Sequence, residues 1–325
     1  MRNITVLRLV VLGFIVLLGG QVRAQTDYPN RRIELIVPFP PGGPNDSAAR
    51  IIQPQLSAAL GVPVLIVNRP GVGGAIAADY AAKANPDGYT LFYPTNTVLT
   101  ILPAMQPREA KHRLSDFVAV ASTMADFGSV TARADAPWKT FDEMVSYARK
   151  NPGKLSYGSA GVGTLSSFAM EILKLSYGLD IIHVPFQGTG PLKNAILGGH
   201  VQLVSSGFSS LGPLIKSGDI KALFTTSPRR IAAFPDVPTA TEKGIPEATI
   251  NLWMLLAVPA GTPKAVVDKL AGALEKIMTD PSVMSLVENS GMVVDYHGPQ
   301  ATQKMLESEA ELVKKVAQKL NMGKK

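Results

Sequence analysis

The sequence predicts an α/β fold built from two units of parallel sheet. Short apolar runs alternate with segments in which apolar residues recur every three to four positions, and glycine-containing loops follow several of the runs. Strands that alternate with helices form parallel sheets, and ligands bind beyond the carboxyl ends of those strands. The predicted strands are residues 33–37, 63–67 and 89–93 in the first unit and residues 154–158, 180–184, 201–205 and 220–225 in the second.

The helices of the first unit follow from the same periodicity. Residues 47–60 carry apolar side chains at helical spacing, and Gly61 ends that helix. Pro54 lies inside it and is expected to kink or restart the helix. A second helix is expected at residues 75–84, before a turn at residues 85–88.

Two crossings are expected to connect the units. Short β-like pieces at residues 117–122 and 129–132 lead into the second unit, and the long apolar run at residues 251–259 leads back. The C-terminal helix, residues 299–320, is expected to pack on the first unit. A length of 325 residues favours two domains. The predicted boundaries are residues 25–124 plus 250–325 for domain 1 and residues 125–249 for domain 2.

The first 24 residues have the pattern of a secretory signal peptide. Arg2 and Arg8 flank an apolar run, and the expected cleavage follows Ala24. The run is short for a membrane span, and an uncleaved anchor is the alternative. The expected product is a soluble periplasmic protein. Its formal net charge is +4, because removal of Arg2, Arg8 and Arg23 takes three charges from +7.

The composition argues against several classes of protein. The sequence contains no cysteine, which excludes thiol catalysis, thiolate metal sites and a lipid anchor on an N-terminal cysteine. Its four histidines are not at metal-ligand spacing, and no metal or other cofactor is expected. No basic tract with interleaved aromatics indicates nucleic acid. The positive charge suits an anionic ligand weakly, and solubility explains it equally well.

The loop at residues 38–46 is the first candidate site. It connects a predicted strand to a predicted helix, and the N–H groups and dipole of a helix start favour an anion. No lysine follows its glycines and the dinucleotide spacing is missing, so we interpret the loop as a carboxylate cradle. The candidate ligand-binding residues in it are Phe39, Pro40, Gly42, Gly43, Asn45 and Asp46. Asp46 is expected either to cap the helix or to face the ligand, and Asn45 could be the cap instead.

The loop at residues 159–167 repeats this arrangement in the second unit. Two such loops that face each other could hold two carboxylates, or one carboxylate and a polar end. Some of its hydroxyl groups are equally consistent with ordinary helix caps. The candidates here are Ser159, Gly161, Gly163 and Thr164, with Thr95 at the end of the third strand and His183 near a later strand end. For His183 a hydrogen-bonded structural role is the favoured alternative.

The chain also resembles a known family across nearly its whole expected mature length. The matching segments are residues 28–29 (YP), 37–43 (VPFPPGG), 68–71 (NRPG), 86–91 (PDGYTL), 152–157 (PGKLSY), 159–163 (SAGVG), 183–186 (HVPF), 234–239 (FPDVPT) and 259–263 (PAGTP). On these motifs it is similar to the Bug or TctC-type extracytoplasmic solute-binding receptors of tripartite tricarboxylate transporters.

The resemblance implies a two-domain periplasmic binding protein of type II, with the ligand cleft between the domains. It implies that the two glycine loops hold a small carboxylate, partly through ordered water, and that inner-membrane permease subunits are possible partners of a monomeric receptor. It adds Gly188, Thr189 and Ser206 to the candidate binding residues. Ser205 and Ser206 stand where many relatives have an aspartate, so the identity of the ligand does not carry over.

Three functions are therefore considered. The first is a receptor that captures a small carboxylate for transport, and the second is a ligand sensor that docks on a membrane signalling protein. The third, a secreted enzyme acting on a carboxylate or ester, is disfavoured because no cluster of catalytic residue types and no nucleophile elbow occurs.

Overall fold

A computed structural model describes residues 28–231 and 233–319. The predicted signal peptide and its cleavage site lie outside these ranges. Within them, ten strands form one sheet. The strands are β1 (Ile33–Val37), β2 (Val64–Asn68), β3 (Thr90–Phe92), β4 (Phe117–Arg133), β5 (Leu155–Ser159), β6 (Ile181–Pro185), β7 (Leu203–Gly207), β8 (Ile220–Thr225), β9 (Asn251–Pro259) and β10 (Val293–His297).

The α-helices of the described residues cover both faces of this sheet. They are α1 (Pro44–Leu60), α2 (Ala75–Ala82), α3 (Asn96–Leu99), α4 (Ile101–Met105), α5 (Phe141–Lys150), α6 (Leu165–Tyr177), α7 (Thr189–Leu197), α8 (Phe208–Lys216), α9 (Lys264–Met278), α10 (Pro281–Asn289) and α11 (Pro299–Lys319). None of the described helices is long and apolar enough to cross a membrane.

The sheet consists of two halves that share the long strand β4. In the first half β1 pairs in parallel with β2 and β3, and β9 and β10 run antiparallel to residues 117–127 of β4. In the second half β5 pairs in parallel with β6 and β7, and β7 and β8 run antiparallel to residues 128–133 of β4. We call these halves, with their helices, the first lobe and the second lobe.

The predicted parallel units are therefore present, and the connection between them differs from the prediction. The β-like pieces expected at residues 117–122 and 129–132 are parts of one 17-residue strand. Pro54 does not interrupt α1, which is continuous over 17 residues. Proline has no backbone N–H, so the Arg50 carbonyl receives no hydrogen bond from residue 54. Pro54 is exposed, and water can therefore hydrogen-bond this carbonyl instead.

Each lobe has its own apolar core, and the C-terminal helix contacts both. Thr302 of α11 accepts a hydrogen bond from Ser122 N (2.8 Å), and Leu306 is buried in the first-lobe core. Further along the same helix, Val313 and Val316 are buried in the second-lobe core. The helix thus packs against both lobes, whereas the sequence placed it on the first alone.

Candidate functional site

A cavity of about 50 Å³ lies between the lobes, beyond the carboxyl ends of the parallel strands. Such a volume holds about four water molecules or a small organic molecule. The first lobe lines it with Phe39, Pro40, Gly43, Pro44, Asn45, Thr95, Thr97 and Leu252, the second with Ala160, Thr164, Leu165, Ser166, Gly188, Thr189, Ser206 and Gly207, and β4 with Gly128.

Nine of the residues proposed from the sequence line this cavity. They are Phe39, Pro40, Gly43, Asn45, Thr95, Thr164, Gly188, Thr189 and Ser206. Six others lie outside the lining, and they are Gly42, Asp46, Ser159, Gly161, Gly163 and His183. The structure therefore brings both glycine loops to one cavity and places several of their side chains behind its wall.

Four helices begin at the cavity wall. The N-cap residues of α1, α6, α7 and α8 are Gly43, Thr164, Gly188 and Gly207, and all four line the cavity. Three of these caps are glycines, which have no side chain to bond the first N–H groups of the helix, although at α8 the Asp126 carboxylate accepts from Ser209 N. Free N–H groups and positive dipole ends attract an anion. Helix N-termini therefore reach the cavity without any positively charged side chain among its described lining residues.

The lining side chains are neutral. None of the described lining residues is ionisable, and their polarity comes mainly from hydroxyl groups. These hydroxyls pair with one another, as Thr95 with Thr97 (3.0 Å), Thr164 with Ser166 (2.8 Å) and Thr189 with Ser206 (3.2 Å). Within residues 28–231 and 233–319, no group of three metal-ligating side chains occurs.

Asp46 holds the first loop in shape. The N-cap of α1 is Gly43, without a side-chain cap, so the prediction that Asp46 or Asn45 caps this helix is wrong. The Asp46 carboxylate instead accepts hydrogen bonds from Gly42 N (3.0 Å), from Asn68 Nδ2 (3.0 Å) and from the Arg50 guanidinium (2.8 Å). Burial raises the pKa of this carboxyl, but the hydrogen bonds outweigh burial and hold the pKa below its usual range.

His183 supports the second loop from behind. Its Nε2 lies 2.7 Å from Ser159 Oγ, and Ser159 Oγ accepts a hydrogen bond from Gly161 N (3.2 Å). The imidazole stacks on Tyr157, with 4.5 Å between ring centroids. Burial lowers the pKa of His183 below its ordinary value, which favours a neutral ring. These contacts give His183 the structural role that was the favoured alternative.

The lobes touch at the rim of the cavity through glycines. A Cβ added at Gly188 of the second lobe would lie 3.0 Å from Pro40 Cδ of the first. A Cβ added at Gly163 would lie 3.0 Å from Leu102 Cα, and one added at Gly73 would lie 3.2 Å from Leu102 Cδ1 and closer still to the Val162 carbonyl. The absence of side chains at these glycines lets the two backbones approach closely. The lobes are therefore closed on each other.

Asp126 lies buried where β4 passes from one lobe to the other. Its carboxylate accepts hydrogen bonds from Ser209 Oγ (2.5 Å), Ser209 N (3.2 Å) and Phe127 N (2.8 Å), which ties the start of α8 to β4. A Cβ at Gly207 would lie 2.7 Å from Asp126 Cγ, so this approach requires glycine. Burial raises the pKa of the Asp126 carboxyl to about 6, although the hydrogen bonds oppose it.

Replacing Asp126 by asparagine is expected to remove a pH-dependent loss of stability. The pKa rises from 3.8 to about 6 on folding, so the carboxyl's contribution is fully present below the lower value and is lost as pH rises through the higher one. Two pKa units correspond to about 3 kcal/mol. Between about pH 4 and pH 7, the free energy of unfolding of the wild type should therefore fall by about 3 kcal/mol relative to that of the variant. Denaturant titration at each pH measures both values.

The control for this experiment is Asp236→Asn, which removes an exposed carboxyl from the second lobe. It reports the pH dependence caused by the loss of one surface charge. A difference between Asp126→Asn and wild type that is constant across the pH range would contradict the prediction.

Glu309 of α11 is the centre of a buried network at the first-lobe side of the cavity. Its carboxylate accepts hydrogen bonds from Asn96 Nδ2 (2.8 Å), Thr100 Oγ1 (2.7 Å) and Trp253 Nε1 (3.0 Å). Asn96 Oδ1 in turn accepts from Trp253 N (3.1 Å). Burial raises the pKa of the Glu309 carboxyl above its ordinary value. The network fixes Asn96 between the lining residues Thr95 and Thr97.

Eight lining residues were not among the proposed binding residues. They are Pro44, Thr97, Gly128, Ala160, Leu165, Ser166, Gly207 and Leu252. Leu165 and Ser166 belong to the second glycine loop as predicted, residues 159–167, so their position was within reach of the same argument. Gly128 and Leu252 lie on the two crossing strands. Strands that connect two lobes pass the floor of the cleft between them. The predicted crossings could therefore have indicated that Gly128 and Leu252 line the cavity.

The fold and the cavity define a two-lobed α/β binding protein. The family model described as "Tripartite tricarboxylate transporter family receptor" matches residues 48–322. The chain therefore belongs to this receptor family, and both the predicted family and the predicted fold class are confirmed.

Individual relatives agree with this assignment. The chain is 34% identical over 292 residues to a UPF0065 protein of Bordetella pertussis, with 90% of each chain covered. The structure of the periplasmic binding protein BugD is similar with a TM-score of 0.85 at 30% identity, covering 91% of this chain and 99% of BugD. MatC from Rhodopseudomonas palustris with bound malate gives a TM-score of 0.84 at 30% identity, covering 89% of this chain and 99% of MatC.

Proposed function

We propose that this chain is a periplasmic receptor that captures a small carboxylate in the cavity between its lobes and delivers it to inner-membrane permease subunits. The observation that carries the proposal is the convergence of four helix N-termini on a cavity with neutral walls. Partial positive charges at fixed N–H groups bind a carboxylate through charge-assisted hydrogen bonds. The malate-bound relative supports the same ligand class.

The lining chemistry also supports binding without turnover. A hydrolytic or acid–base mechanism needs a base or an activated nucleophile in reach of the ligand. Among the described lining residues the reactive groups are hydroxyls, and no imidazole, carboxylate, amine or thiol lines the cavity to activate them. The proposed protein releases its ligand chemically unchanged.

Export and partner follow from the same proposal. Cleavage after Ala24 would place the monomeric receptor in the periplasm, and the family name supports a membrane permease as the recipient of the ligand. Domain closure would then signal that the receptor is loaded.

A thermal-shift screen of the mature chain tests the function. Mono-, di- and tricarboxylates are compared with their neutral amides, because an amide keeps the size of the acid without the charge. At a concentration about 100-fold above Kd, a bound acid should add about 2.7 kcal/mol of stability, which raises Tm by about 5 °C for a chain of this size.

The recovered ligand should be unchanged by NMR after prolonged incubation. The proposal is wrong if no carboxylate raises Tm, if the amides stabilise as well as the acids, or if the ligand is converted into a product.

A further inference from the structure

Asn45 presents an unpartnered amide to the cavity. The residue lines the cavity, is 2% exposed, and neither its Nδ2 nor its Oδ1 has a hydrogen-bond partner. Among the described lining side chains it alone has buried polar atoms without partners. A buried amide without partners costs about 1–3 kcal/mol, so its retention in the wall indicates a ligand that satisfies it.

The backbone that carries this amide is anchored. Asn45 is the second residue of α1, directly after Pro44. The carboxylate of the next residue, Asp46, is bonded by Arg50, Asn68 and Gly42. These contacts hold the loop behind the wall and so fix the backbone position from which Asn45 lines the cavity.

The two amide atoms require opposite partners. Nδ2 needs an acceptor, which a carboxylate provides, and Oδ1 needs a donor, which an ionised carboxylate lacks. A hydroxyl group is both donor and acceptor. A ligand with a hydroxyl near its carboxylate satisfies Asn45, whereas a plain carboxylate leaves Oδ1 unpaired.

The charges around the cavity orient such a ligand. Three of the four helix N-termini belong to the second lobe, at Thr164, Gly188 and Gly207. The N-terminus of α1 already has the Asp46 carboxylate in its first turn, and that of α8 has the Asp126 carboxylate on Ser209 N. The ends of α6 and α7, both in the second lobe, remain for the ligand carboxylate, which places its hydroxyl on the Asn45 side. An ammonium group in place of the hydroxyl would meet no carboxylate among the described lining residues.

We propose that this receptor prefers hydroxycarboxylates to unsubstituted carboxylates and that the Asn45 amide hydrogen-bonds the hydroxyl group. The small cavity volume, about 50 Å³, favours small acids. This inference rests on the proposed function and specifies the ligand class of the same site.

Two series of acids that differ in one substituent test the proposal. The first is lactate, propionate and alanine, and the second is malate, succinate and aspartate. Isothermal titration of the mature wild-type protein should give the hydroxyl member of at least one series about tenfold tighter binding than the unsubstituted member. The amino member should bind more weakly than the hydroxyl member.

Asn45→Ala should abolish this preference, so that hydroxylated and plain acids bind within about threefold of each other. The hydroxylated acid should lose more affinity than the plain acid. Asn45→Leu keeps the bulk of the side chain without polar atoms and guards against a folding defect in the alanine variant. Asn289→Ala, on the exposed face of α10, is the matched control.

Each alternative result is decisive. A preference that survives in both Asn45 variants, or an equal loss of affinity for hydroxylated and plain acids, overturns the role of Asn45. If only acids without a hydroxyl group bind, the ligand class proposed here is wrong and the carboxylate receptor stands. If no carboxylate binds at all, the proposed function itself fails.

Discussion

Replacing Glu309 by alanine is expected to lower the free energy of unfolding by about 3 kcal/mol. The substitution leaves the Trp253 indole N–H buried without its acceptor and removes the shared acceptor of Asn96 and Thr100. It also opens a cavity beneath the first-lobe wall of the site. Denaturant titration with Trp fluorescence measures the loss.

Two further variants separate the network from the helix that carries it. Glu311→Ala removes an exposed carboxylate two positions along α11 and should change stability by less than about 0.5 kcal/mol. Glu309→Gln keeps the volume and one acceptor oxygen, so its cost should be intermediate. Equal stabilities of Glu309→Ala and Glu311→Ala would show that the buried network does not stabilise the fold.

Gly163→Ala is expected to weaken ligand binding by about 10- to 100-fold, because overpacking a close contact costs about 1–3 kcal/mol. The new methyl group would meet Leu102 of the first lobe, whose Cα lies 3.0 Å from the Cβ position. Gly163 is outside the cavity lining, so the loss comes from impaired closure rather than from a ligand contact. Titration with the acid that gives the largest thermal shift measures the effect.

Gly178→Ala is the matched control for this experiment. Gly178 lies in the same lobe at the end of α6, with φ of 63° against 78° at Gly163, and a Cβ there has nothing within 4 Å. Both variants place alanine in the left-handed region, at a cost of about 1 kcal/mol of stability. Only Gly163→Ala should also lose affinity. Equal affinities in the two variants would show that the contact with Leu102 is not needed for closure.

The cavity illustrates how a binding site can attract an anion with backbone groups alone. A lysine or arginine in the wall would add attraction but would also bind water and other anions strongly in the open state. Helix N-termini provide fixed donors at no cost in side-chain entropy. Specificity then depends on neutral groups such as the Asn45 amide and the apolar wall of Phe39 and Leu252.

Expectations from the sequence were correct where hydrophobic periodicity and glycine determine the local structure. Alternating apolar runs and helical periodicity predicted the parallel units, and the glycine loops were correctly placed at strand ends. The expectations were wrong where a local rule was outweighed. Asp46 has the residue type of an N-cap, but Pro44 begins the helix two positions earlier and Asp46 instead pairs with Asn68, which is 22 positions away.

By itself the sequence determined the fold class, the family and the two loops that meet at the cavity, because glycine, proline and apolar spacing act within a few residues. Only the tertiary structure decided which side chains face the cavity. It placed His183 behind the wall and left the Asn45 amide unpaired within it. It also joined Glu309 to Asn96 across 213 positions. Such contacts depend on how the two lobes pack, and no pattern within a short segment specifies them.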